Sequence, residues 1–139
     1  MAVTIRAFDL EDYESAMALW RTCDGIGLSA DDTRAGIARH LARNPGLSFV
    51  AEDNGQIAGA VLGSHDGRRG YLTHLAVSEK YRYRGVGRAL VESCLQALRQ
   101  QGITKCHVLV YGDNSGAQAF WKQTGWFLRD ELVIMSKMI

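Results

Sequence analysis

Proline occurs once in this 139-residue chain and cysteine three times, and charge is almost cancelled: sixteen Lys and Arg stand against fifteen Asp and Glu, for a net +1. One proline leaves no Pro-rich linker to divide the chain. Cys23, Cys94 and Cys106 are an odd number with no C-x-x-C pair. A disulfide framework is therefore not expected, and reduced thiols in a core are. The four histidines, His40, His65, His74 and His107, show no H-E-x-x-H or close Cys/His spacing, so no metal site is expected. The missing basic excess argues against a dedicated nucleic-acid binder. No apolar run approaches the roughly 20 residues of a membrane span, and the N-terminal residues show no signal-peptide apolar region. A cytoplasmic protein without membrane contact is the expectation. What remains has the proportions of a folded globular chain, 47% apolar and 22% charged. Its length suits one domain over residues 1–139.

Residues 3–8 read as a short strand. Asp9 can cap a helix over 10–22, with Asp12 three residues on, and Leu10, Tyr13, Met17 and Trp20 recur at helical spacing. The glycines at 25 and 27 break that pattern. Ser29-x-x-Asp32 is a second start signal for a helix to about Arg43, stopped by Asn44-Pro45-Gly46. Strands are predicted over 47–52, 56–64 and 71–77. The first two are joined by Asn54-Gly55, the dipeptide a two-residue type I′ turn prefers. A helix over 85–101, a strand over 104–111 and a helix from Asn114 or Ser115 to Gly125 follow. One or two closing strands are expected over 126–138. The order is β-α-α-β-β-β-α-β-α-β(-β), a mixed, mostly antiparallel α/β sheet flanked by helices.

The chemistry concentrates between Leu75 and Leu90. A strand ends at Val77, a basic glycine-containing loop follows, and a long helix begins near Gly85. Lys80, Arg82, Arg84 and Arg88 put four of the sixteen positive charges into nine residues, with no acid among them. Backbone N–H groups at a helix start carry roughly half a positive charge and bind phosphate. Gly85 and Gly87 offer no side chain to hold a phosphate off. The Walker pattern G-x-x-x-x-G-K-[ST] is absent, and the dinucleotide fingerprint G-x-G-x-x-G fails at Leu90. A helix start that is merely glycine-rich gives the same short pattern.

Arg82-Tyr83-Arg84-Gly85-Val86-Gly87 fits R/Q-x-x-G-x-G/A, and Asn114, Ala117, Phe120 and Gly125 fit N-x-x-A-x-x-[FL]-Y-x-x-x-G-[FY], with Trp121 and Trp126 as two substitutions. In these motifs, their separation and its element order, the chain resembles the GNAT acetyltransferase superfamily. The resemblance implies two central strands that splay apart around the pantetheine arm of acetyl-CoA, the acyl donor. Backbone groups of Leu75, Ala76 and Val77 would face that arm, and the N–H near Leu75 would polarise the thioester carbonyl. Amides from Tyr83 through Arg84, Gly85, Val86, Gly87 and Arg88 would hold the pyrophosphate, with Arg82 at the motif's first position. Asn114, Ala117, Phe120 and Trp121 would line the thiol end; equally, Asn114 is a plain helix cap and the aromatic pair is core.

Direct acyl transfer to an amine of a small molecule or peptide is the implied reaction. A lysine-like amine has a pKa of about 10.4 and must lose a proton to attack. Glu52 is the carboxylate candidate for that role, or simply a solvated surface residue. Strict alternation puts Tyr71 and Thr73 on the acceptor face and His74 on the other, as a buried or hydrogen-bonded histidine. Asp24, with Tyr71 and Thr73, is a candidate acceptor contact. Trp121 stands where relatives carry the tyrosine that protonates the leaving thiolate, so that role is vacant or moved to Tyr111 or Ser115. A non-catalytic acyl-CoA-binding module and a phosphate-binding interaction domain are the competing readings. A homodimer follows from analogy alone.

Overall fold

The computed structural model describes residues 3–139. These divide into two compact units, one ending at Leu109 and one running from Val110 to Ile139. The first holds a five-stranded sheet in the order β1(Thr4–Ala7), β2(Phe49–Asp53), β3(Gln56–His65), β4(Gly70–Val77), β5(Cys106–Val108). The first three pairings are antiparallel and β4 pairs β5 in parallel. The mixed sheet expected from the sequence is thus present. At the Asn54-Gly55 turn both residues have positive φ, 50° and 80°, and Asp53 pairs directly with Gln56. This is the two-residue hairpin that the dipeptide favours, because glycine adopts the left-handed region without a Cβ clash.

Helices α1(Tyr13–Thr22) and α2(Arg34–Arg43) share one face of the sheet, and each begins after a 3₁₀ turn. Asp9 and Asp12 form a capping box around the first turn, and Ser29 and Asp32 around the second. Thr33 breaks the run expected from Ser29 to Arg43 with ψ 163° and caps α2 itself, its hydroxyl accepting from the Gly36 amide. Phe8, Met17, Trp20 and Ile37 pack with Val50, Ala60, Leu62 and Ala76 in the core of this face. On the other face lies α3(Val86–Gln100). A Cβ on Gly59 would meet Leu90 at 2.9 Å, and one on Gly70 would meet Leu98 at 2.8 Å, so these strands admit α3 closely because they lack side chains there. The three cysteines are free thiols. Burial pushes the Cys94 thiol up to about 12.

Two expectations need correction. The strand expected over 104–111 is only Cys106–Val108; Tyr111 lies beyond it, its carbonyl accepting from the Asn114 amide. No strand occurs among the described residues 126–139, where closing strands were expected. Val133, Ile134 and Met135 are 85, 70 and 90% exposed. A half-buried strand shields alternate residues, and here both parities are open. An apolar alternating pattern supplies no ladder partner by itself.

One ion cluster ties β1 to the start of α1 and to β2. Arg6 donates from Nη1 and Nη2 to Asp12, both at 2.9 Å, and from Nε to Glu52 at 2.9 Å. Burial alone would raise the Asp12 carboxyl, but the bonds from Arg6 and the Asp9 amide hold it below its ordinary 3.8. Replacing Arg6 by Met, which keeps the aliphatic stem, should cost about 2 kcal/mol by leaving Asp12 charged and unpaired. Because the folded pKa of Asp12 is depressed, this stabilisation is complete above 3.8 and is lost as pH falls through the lower folded value. Urea unfolding of both proteins from pH 7 to pH 2 should show the gap closing at the acid end.

Candidate active site

A β-bulge shapes the site. Ala60 pairs with Ala76 and Leu62 with Thr73, so His74 and Leu75 together stand opposite Val61. His74 takes the left-handed conformation, φ 57°. The extra residue shifts the side-chain parity of everything after it. Ahead of the bulge Tyr71 and Thr73 face α2; past it, Ala76 joins the core under α1. His74 is turned to that same face, contrary to the strict alternation expected. Its Nε2 donates to Asp32 Oδ1 at 2.7 Å, and its ring stands edge-on to Trp20 at 5.0 Å. Trp20 Nε1 donates to the His74 carbonyl at 2.8 Å.

A cleft of about 610 Å³ opens between α2 and the β3–β4 hairpin, lined among others by Asp32, His40, Tyr71, Thr73 and His74. Two of the three residues expected to meet the acceptor, Tyr71 and Thr73, are here together. Asp24 is not; it is exposed in the turn after α1. Glu52 is not a free base either. It sits on β2, two strands from β4, with its carboxylate engaged by Arg6. Asp32 was legible only as a cap, because Ser-x-x-Asp carries no sign of the second bond to a strand 42 residues on.

Parallel pairing between β4 and β5 stops at Leu72 opposite Val108, and β4 runs on through Thr73, His74, Leu75, Ala76 and Val77. The loop beyond is anchored twice. Tyr81, buried, donates its hydroxyl to Asp53 at 2.5 Å. Arg82 Nε donates to the Val77 carbonyl at 3.0 Å, so the motif's first residue braces the loop. Tyr83 and Gly85 are both left-handed, φ 62° and 79°, and Gly85 is the α3 cap. The cap has no side chain, and among the described residues the first turn of this 15-residue α3 has no acid and no side-chain cap bond. Arg84, Gly85, Val86 and Ala89 also line an open depression of about 480 Å³. Left-handed backbone, leading amides without a side-chain cap and local positive charge thus coincide at the start of α3, the combination of features that suits an anion.

In the second unit, Asn114 caps α4(Ser115–Gln123), its Oδ1 accepting from the Ala117 amide at 3.0 Å. Phe120, Trp121 and Trp126 stack edge to face, with centroids 5.1 and 4.8 Å apart. Trp121, 9% exposed, is a core residue of that unit. Tyr111 is exposed.

Residues 13–126 match the model of the acetyltransferase (GNAT) family. The chain belongs to the GNAT family. It is 31% identical over 135 residues to an acetyltransferase of Sodalis glossinidius, covering 97% of this chain and 94% of the relative. Its fold matches Ard1 of Thermoplasma volcanium with a TM-score of 0.81 and 29% identity, over 93% of this chain and 85% of that one. It also matches the PaiA N-acetyltransferase of Thermoplasma acidophilum, solved with coenzyme A, with a TM-score of 0.81 and 18% identity, over 94% and 92% of the chains. The bulged β4 and the glycine loop are therefore features of a GNAT chain.

His40 borders the cleft from α2, its Nε2 bonded to the Gly63 carbonyl at 3.0 Å. Burial, with the nearby His74 acting in the same direction, lowers it below the ordinary 6.5. With a depressed folded pKa, its contribution to stability is complete above 6.5 and falls as pH drops toward the lower value. An NMR titration should place the His40 midpoint below 6.5; a midpoint at or above that would contradict the burial argument.

Proposed function

We propose that this GNAT chain is an acetyl-CoA-dependent N-acetyltransferase acting on a primary amine of a small molecule or peptide. The observation that carries the reading is the α3 start: two left-handed residues, an uncapped helix end and no acid across residues 80–88. The coenzyme A bound to the PaiA relative supports the same assignment. In this reading the amides of Tyr83 to Arg88 hold the pyrophosphate, and the bulged edge of β4 at Leu75 presents an N–H to the thioester carbonyl. The amine enters by the Tyr71–Thr73 cleft. Its nitrogen bonds to the carbonyl carbon, the C–S bond breaks, and the thiolate takes up a proton.

Calorimetric titration should show acetyl-CoA binding that Gly85→Glu weakens at least about 100-fold, because a carboxylate repels the pyrophosphate and a side chain at φ 79° strains the loop. Unchanged affinity in a folded variant would sink the assignment of the loop. A non-catalytic acyl-CoA-binding module is the second reading, favoured by Trp121 in the place of a tyrosine acid and by the engagement of Glu52 with Arg6. Thiol release with a panel of amines separates the two.

A thiol pKa of about 8.5 makes the thiolate a fair leaving group, so no dedicated acid is required. Tyr111→Phe should therefore slow single-turnover transfer less than about tenfold, whereas a general acid would contribute roughly 100-fold or more.

A further inference from the structure

We propose that His74, held by Asp32, is the base that takes the proton from the acceptor ammonium; this rests on the transferase reading above. The Asp32 carboxylate is fixed from two directions. Its Oδ2 accepts the Ser29 amide at 2.9 Å and its Oδ1 accepts His74 Nε2 at 2.7 Å. A carboxylate only accepts, so in the neutral ring the proton sits on Nε2 and the lone pair on Nδ1. The ring is further fixed by its edge-to-face contact with Trp20, whose own N–H holds the His74 carbonyl. The imidazole is therefore oriented, in one tautomer, and on the wall of the cleft that holds Tyr71 and Thr73. It also adjoins Leu75, whose N–H is the proposed donor to the thioester oxygen.

Glu52 is bound to Arg6. His40 also keeps its Nε2 on an acceptor, the Gly63 carbonyl, but it stands on α2, whereas His74 adjoins Leu75 on β4. The bulge is itself an argument for use, since a side chain at φ 57° is adopted against steric preference. A regular β4 would put His74 on the α3 face, away from the cleft.

The step balances as follows. One ammonium proton moves to Nδ1, and the freed amine nitrogen bonds to the carbonyl carbon as the C–S bond breaks. The second nitrogen proton goes to the departing thiolate, and the imidazolium returns its proton to solvent. Asp32 is a positioning residue that holds Nε2–H and so leaves the Nδ1 lone pair to receive that proton.

The test uses the full chain with an amine substrate found in the thiol-release panel. His74→Ala should lower kcat/KM for the amine by about 100-fold or more, with acetyl-CoA affinity within about threefold of wild type. Added imidazole should restore activity, and pyrazole, of the same shape but feebly basic, should not. Asp32→Asn offers an amide donor to Nε2 and forces the proton onto Nδ1. That variant should lose activity comparably while its ¹⁵N NMR spectrum reports the exchanged tautomer. Should His74→Ala misfold, His74→Gln, closer in size, replaces it and must show the same loss. Near-wild-type rates in these histidine variants, equal rescue by both azoles, or an Nδ1–H tautomer in the wild type would each overturn the proposal. A wild-type protein that binds acetyl-CoA but acetylates no amine overturns the transferase reading and this inference together; transfer that ignores His74 overturns this inference alone.

Discussion

One extra residue in β4 organises the first unit. With His74 and Leu75 both opposite Val61, the strand changes which residues it shows to each face. Had the alternation continued, Ala76 would face α3 and the core under Trp20 would lose it. The left-handed φ at His74 costs roughly 1–2 kcal/mol. It persists because three contacts hold it in place: the Trp20 indole on its carbonyl, the Trp20 ring against its imidazole, and the Asp32 carboxylate on Nε2. Both partners, Trp20 and Asp32, come from α1 and the turn before α2. The packing of that helical layer and the shape of the strand edge are thus one constraint, and the pairing with β5 ends two residues short of the bulge, at Leu72.

The second constraint is where positive charge is concentrated. A net +1 spread evenly would attract nothing. Four cations in nine residues at the start of a 15-residue helix build a local field that the total conceals. Geometry refines this picture. Arg82 lends its Nε–H to the Val77 carbonyl, and Tyr81 is tied to Asp53, so the loop is held in its left-handed turns before any ligand arrives. Amides fixed in this way need no further ordering, whereas a mobile arginine side chain loses rotamer freedom whenever it is held.

Local features were legible in the sequence and long-range ones were not. Asn54-Gly55 specifies its turn through backbone preference alone, and Gly85 marks the helix start for the same reason. Asp9 and Ser29 were readable as caps because a cap is decided within four residues. No residue type announces the bulge: His74 and Tyr83 are ordinary side chains held left-handed by distant contacts. Glu52 was readable as a carboxylate near a strand end, but its partner Arg6 lies 46 residues away and sets its role. Residues 126–138 carry a strand-like pattern, yet a strand is made by a neighbour, and their composition does not name one. The turns, caps and the start of α3 were thus recoverable, and the parity of β4 past its bulge was not.

The two 3₁₀ turns show how one local device reaches two different ends. In each, the acid at the third position takes the cap amide with one oxygen, Asp12 from Asp9 and Asp32 from Ser29. The same carboxylates then bind a strand residue, Arg6 for Asp12 and His74 for Asp32. Capping leaves each acid in a fixed rotamer, so the long-range bond is formed at little further entropic cost. The outcomes differ because the strand residues differ. A guanidinium keeps its protons across the ordinary pH range, so the Asp12–Arg6 strut is lost only where Asp12 itself takes up a proton at acid pH. An imidazole carries two ring nitrogens, and Asp32 engages His74 through Nε2. The two turns thus meet different strand residues, Arg6 on β1 and His74 on β4, although both are built from the same capping pattern.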